Sequence, residues 1–175
     1  VKARSELTAD GALSTKVAWT GRAYAEQRLR RALAHSYTTR ERDSFGALAA
    51  AELGAVADVD VKLPTYAQLR DVTRPITIAM DARVPGYALE AGERLVFSPA
   101  TARHLVTSSS IAPYLGVAEA EEREQPLLLW APRQREVTET LLLPPGYTVE
   151  SLPEDLDLDG PVASLRTRTQ VRGRK

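Results

Sequence analysis

Apolar and polar residues alternate with a period of two over much of this chain, the pattern of strands covered on one side. Ser5 to Ala9 leads into Asp10-Gly11, a dipeptide suited to a hairpin turn. On the return, Leu13, Thr15, Val17 and Trp19 share one face, and Ser14, Lys16 and Thr20 the other. Ala57, Val59, Val61 and Leu63 alternate with Asp58, Asp60 and Lys62. Ile76, Ile78, Met80, Ala82 and Val84 alternate with Thr77, Asp81 and Arg83 before Pro85-Gly86 breaks the run. Shorter strands are expected over residues 94–98, 104–108, 127–130, 136–143 and 147–152. Pro144-Pro145-Gly146 marks a turn between the last two. A final strand places Ala163, Leu165, Thr167, Thr169 and Val171 on one face, with Ser164, Arg166, Arg168, Gln170 and Arg172 opposite.

The period changes to that of a helix twice, both times early. Ala25, Leu29, Ala32 and Leu33 form one apolar stripe. Thr38 with Glu41 has the form of a capping box, ahead of Phe45, Leu48, Ala49 and Leu53, and Gly54 suits the C-terminal cap. The expectation is a β-rich α+β fold: antiparallel β-sandwich-like sheets with a two-helix segment near the N-terminus. It takes the form of one domain over residues 1–175, or of two lobes, 1–85 and 86–175, divided at Pro85-Gly86. A chain of 175 residues can bury roughly 70% of its unfolded surface, so it needs neither a metal nor a disulfide to fold.

Composition narrows the chemistry. There is no cysteine, which removes thiol catalysis, thiolate metal ligands and disulfides together. The 23 basic and 23 acidic residues cancel, leaving no net field to draw the chain onto nucleic acid or an anionic bilayer. The charge is uneven, however: residues 117–160 hold eleven acids against three arginines, and the rest of the chain is correspondingly basic. Two complementary faces of one fold, or a charged docking surface, would produce that asymmetry. No apolar run approaches the roughly 18 residues of a membrane span, so no membrane insertion is expected. The chain starts at Val1 and not Met, which suggests a processed or cut end.

Candidate sites are few. His35 and His104 are the only histidines and are not spaced as a zinc pair; a structural role is expected of both. Asp155-Leu156-Asp157-Leu158-Asp159-Gly160 copies the start of a calcium loop. The twelfth position of that loop, which should be a bidentate glutamate, is Arg166, and the leucines alternate with the acids as along a strand. An acidic strand and turn is the expectation, with weak calcium binding by Asp155, Asp157 and Asp159 left open. Ser108-Ser109-Ser110 lacks the elbow motif of a serine nucleophile and reads as a polar loop. Phosphate-cradling glycine motifs are absent from the sequence. Two basic clusters, Arg28/Arg30/Arg31 and Arg166/Arg168/Arg172 with Arg174 and Lys175, lack interleaved aromatics for base stacking. They are expected to be solvated faces or a charge-protected edge. Exposed aromatics would favour a glycan-binding face; Trp19 and Trp130 follow core patterns and are expected to be buried. No catalytic, cofactor-binding or metal-binding residue is therefore assigned.

One resemblance supplies a functional expectation. Glu6-Leu7-Thr8-Ala9-Asp10-Gly11-Ala12-Leu13 precedes a strand, and Thr20-Gly21-Arg22-Ala23 opens an arginine-containing helix. Arg123-Glu124-Gln125-Pro126-Leu127, Leu143-Pro144-Pro145-Gly146-Tyr147 and Leu152-Pro153 follow near the end. In order and spacing this resembles the C-terminal region of bacterial transglutaminase-like proteins that carry an N-terminal domain of unknown function. The resemblance implies a non-catalytic accessory domain, packing against or presenting substrate to a transglutaminase- or protease-like core in the same chain. It also implies a periplasmic or cell-surface setting. The family's Cys, His and Asp triad belongs to its central domain and maps to no residue here. The alternative expectation is a stand-alone glycan- or peptide-binding β-sandwich. Protein or peptide partners are expected, without nucleic acid, and no cofactor. A metal-dependent enzyme is the remaining class.

Overall fold

The computed structural model describes residues 1–35, 58–102, 134–161 and 163–173. They group into two compact units, Val1–Leu142 and Leu143–Lys175. Val84, Ala88 and Ala100, on both sides of Pro85-Gly86, share one core within the first unit.

The first unit is built on a five-stranded sheet of order β3-β4-β2-β1-β7. Its strands are β1 (Lys2–Leu7), β2 (Leu13–Thr20), β3 (Asp58–Lys62), β4 (Thr77–Val84) and β7 (Thr138–Leu142). The expected opening hairpin is present. Thr8 and Asp10 side chains hydrogen-bond in its turn, Gly11 takes φ 74°, and β1 and β2 pair from Leu7↔Leu13 to Lys2↔Ala18. Gly11 is required twice over. Its φ lies in the left-handed region, and a Cβ there would sit 3.0 Å from the Ala88 carbonyl oxygen. β4 joins β2 and β3 antiparallel. β7 lies parallel to β1, with Lys2↔Thr138 through Glu6↔Leu142. The sheet is therefore mixed, where alternation had pointed to antiparallel pairing throughout. Alternation reports which face a residue occupies; it is silent on the direction of the neighbour.

Leu7, Leu13, Val17, Met80, Ala82 and Val84 are buried on one face of this sheet. Tyr87, Leu95, Phe97 and Ala100 pack against it from the segment that carries the small hairpin β5 (Leu89–Ala91) and β6 (Arg94–Val96). A second cluster unites Leu33 and Leu29 of α1 (Tyr24–His35) with Leu69 of α2 (Tyr66–Arg70), Ile76 and Ile78; Trp19 touches both clusters. The helix stripe read from Ala25 to Leu33 is thus a packing face only toward its end, since Ala25 is exposed. α2 was not anticipated. Its signal is a capping box: the Gln68 amide N–H donates to Thr65 Oγ1 at 3.3 Å, and the Thr65 amide to Gln68 Oε1 at 2.8 Å. The helix expected after Thr38 lies outside the described residues, as do the strands expected over 104–108 and 127–130.

Arg30 departs from the solvated cluster expected on α1. Its guanidinium pairs with Glu26 at 2.6 Å and donates to the carbonyls of Gln68, Leu69 and Arg74. It thereby satisfies the carbonyls left open at the end of α2 and ties α1 to the turn before β4. Arg28 and Arg31 are exposed, as expected.

The second unit carries a two-stranded hairpin, β8 (Asp157–Asp159) and β9 (Ser164–Arg166). Pro144-Pro145-Gly146 makes the expected turn, with the Tyr147 amide bonded to the Pro144 carbonyl at 3.2 Å and Gly146 at φ 86°. The strand expected over 147–152 is irregular instead, and the long final strand shortens to three residues. Neither segment has a buried face: Val149, Leu152, Leu165 and Val171 are all exposed, so their alternation had nothing to pack against.

Candidate ligand-binding face

The face of the five-stranded sheet opposite the core is polar, and the register places its charges in rows. Asp60 of β3 lies opposite Asp81 of β4, Asp81 opposite Lys16 of β2, and Lys16 opposite Arg4 of β1. One row across the sheet thus reads acid, acid, base, base, ending at Thr140 of β7. The row above it runs Asp58, Arg83, Ser14, Glu6 and Leu142; the row below includes Lys62 and Lys2. An open concavity of about 550 Å³ lies over this surface, walled by Arg4, Lys16 and Arg83 as well as Asp58, Asp60 and Asp81.

Like charges placed directly opposite on neighbouring strands repel. The acidic half of the row is relieved inside the chain. Lys62 Nζ sits 2.7 Å from Asp81 and 3.9 Å from Asp60. Its hydrogen bond to Asp81 raises the pKa of Lys62 and lowers that of Asp81. The bridge is therefore complete above the usual carboxylate range and is lost as pH falls through the lowered Asp81 value. The basic half is relieved less: the charge of Lys16 helps lower the Asp81 pKa across the strands, but among the described residues neither Arg4 nor Lys16 forms an ion pair.

A second polar group lies on the core face. Glu139 of β7 accepts from Ser5 Oγ at 2.6 Å, from the Thr101 amide at 2.9 Å and from Thr101 Oγ1 at 2.7 Å. Ser5 in turn shares a hydrogen bond with Thr15 at 2.8 Å. Ser5, Thr15 and Thr101 are buried, and every one of these side chains is bonded, so the group acts as a clasp and offers no open position to a ligand.

The calcium-like run does not converge. β8 and β9 place Asp157 opposite Arg166, whose Nε is 2.9 Å away. Arg168 bridges Asp157 at 3.2 Å and Asp155 at 3.7 Å, and Asp155 also accepts from the Thr169 amide. The Arg166 bond holds the Asp157 pKa below its usual value. Arg166, standing where the loop glutamate belongs, thus occupies Asp157, and Arg168 holds Asp155 and Asp157. Millimolar calcium is expected to leave the amide resonances of Asp155, Asp157 and Asp159 in place; a saturable shift of all three would show that a cation can displace the arginines. Among the described residues, no group of three or more His, Asp or Glu is placed to hold a metal.

The other residues singled out in the sequence fall apart in space. Trp19 is half-buried between the two apolar clusters, while Trp130, His104 and the run Ser108-Ser109-Ser110 lie outside the described residues. His35 is the last residue of α1. Arg166 and Arg168 form the ion pairs above, and Arg172 is exposed. Among the described residues no helix is long and apolar enough to cross a membrane. No family model, curated protein or solved structure matches the chain.

Proposed function

We propose that this chain is a non-catalytic interaction module, acting as an accessory domain beside the transglutaminase- or protease-like core of an exported bacterial protein. One observation carries the reading: the sheet face holds Arg4 and Lys16 opposite each other, and among the described residues neither forms an ion pair, although Asp81 lies on the other side of Lys16; such a like-charge pair is relieved by an acidic partner. The Arg166–Asp157 and Arg168–Asp157 pairs fit a module that binds no cation through its calcium-like run, because they commit Asp157 to internal ion pairs.

The test is the reading frame on the N-terminal side of Val1, followed by titration of this chain with the domain encoded there. A domain with a Cys, His and Asp triad that binds saturably is the expected result. A reading frame without such a domain, or no binding to it, overturns the accessory reading.

A further inference from the structure

The interaction-module reading leaves the partner's chemistry open, and the charges on β1 and β2 narrow it. Building on that reading, we infer that the Lys2–Arg4–Lys16 surface binds an extended peptide segment with acidic side chains at alternate positions.

The argument starts from the asymmetry of the central row. Asp60 and Asp81 face each other and are bridged by Lys62. Arg4 and Lys16 face each other in the same way, with Cβ atoms roughly 5 Å apart for such a pair; Asp81 flanks Lys16 on its far side, but no acid among the described residues forms an ion pair with Arg4 or bridges the two bases. An external carboxylate at that point does for the basic pair what Lys62 does for the acidic one. Arg4 supplies the planar fork that takes a carboxylate bidentately, and Lys16 adds a second donor.

Spacing favours an extended chain. Lys2, Arg4 and Glu6 lie on one face of β1 at alternate positions, about 6.8 Å apart along a strand. The side chains on one face of an extended peptide repeat at the same interval, so a peptide along β1 meets base, base and acid in turn. The complementary ligand carries acid, acid and base at alternate positions. Leu142, 46% exposed and beside Glu6, gives this track an apolar rim. Asp58 and Asp60 on the far side repel any polyanion that spreads across the sheet, which holds the ligand to the β1 side.

Fluorescence anisotropy with the full chain at low ionic strength tests the assignment. The probe is a labelled peptide with Glu, Glu and Lys at alternate positions separated by Thr, in both chain directions. It is expected to bind saturably, and the charge-swapped Lys, Lys, Glu peptide is not. The double variant R4Q/K16Q alters two exposed side chains and is expected to keep or slightly raise its melting temperature, since it removes a like-charge pair, while binding roughly ten-fold more weakly. Removal of the acidic wall by D58N/D60N is expected to leave binding equal or tighter. Absence of saturable binding overturns the inference, as does equal affinity in R4Q/K16Q. A sulfated glycan that displaces the peptide and binds more tightly than it replaces the peptide with a carbohydrate ligand. The outcome is separable from the accessory reading: a catalytic partner domain that still binds R4Q/K16Q leaves that reading standing and removes only this ligand.

Discussion

Leu13→Ala is expected to destabilise the first unit by about 3 kcal/mol, the middle of the range for a buried leucine truncation. Leu13 begins β2, is 1% exposed, and packs in the cluster of Leu7, Val17, Met80 and Val84. It is paired with Leu7 on one side and Val84 on the other, both themselves 2% exposed or less. Three strands meet at this row, so the cavity left by the lost methyl groups is walled by ordered backbone and cannot collapse cheaply. In a domain of this size the loss corresponds to a fall of roughly 8 °C in melting temperature. Urea unfolding followed by tryptophan fluorescence is the measurement. Leu158→Ala is the control: Leu158 is 56% exposed on β8, and its truncation is expected to change stability by less than about 0.5 kcal/mol. Equal effects at the two positions would mean that the buried row is not where the unit's apolar stabilisation is concentrated.

The contrast between Leu13 and Leu158 also shows why some elements were readable and others were not. Both residues sit in alternating runs. Around Leu13 the apolar side is large and continuous (Leu13, Thr15, Val17, Trp19), and burial follows it residue by residue. Around Leu158 and Leu165 the same alternation marks a hairpin of three-residue strands with no core beneath it. Period alone does not distinguish these cases; the amount of apolar surface available to cover the strand does. β7 shows a different limit. Its strand character was visible over residues 136–143, but its parallel partner lies more than 130 positions earlier in the chain, and nothing local encodes that pairing.

The candidate face was hidden for the same reason. Lys16, Asp60 and Asp81 were each assignable to the polar side of a strand. Their neighbours were not, because the row Asp60, Asp81, Lys16, Arg4 gathers four separate strands. Basic residues that cluster along the sequence drew attention instead. Of those, Arg30 turned inward to cap α2, and Arg166 and Arg168 paired with acids across their own hairpin. The unbalanced charge belongs to residues scattered in sequence and brought together by strand order.

Glu139→Ala is expected to cost about 2 to 3 kcal/mol, because the carboxylate accepts three hydrogen bonds and its loss strands donors in a buried setting. The damage should be local. β7 is an edge strand among the described residues, and Glu139 is where it is fastened both to β1, through Ser5, and to the turn at Thr101. Amide exchange in β7 is therefore expected to accelerate well before exchange in β4, which is paired on both sides. Glu139→Gln separates hydrogen bonding from charge. The Gln carbonyl oxygen can take both Thr101 donors while its amide donates to Ser5 Oγ. Ser5 then turns its proton toward Thr15, a reversal open to that hydroxyl pair because either oxygen can be the donor. The amide variant is thus expected to keep four hydrogen bonds in the network and to cost about 1 kcal/mol, for the lost charge and for the Thr15 proton that no longer meets Ser5. If Gln proves as costly as Ala, the negative charge itself is what the clasp requires. If both are neutral, β7 is held by its backbone ladder to β1, with Leu141 packed against the core, and the four polar side chains beneath it are bystanders.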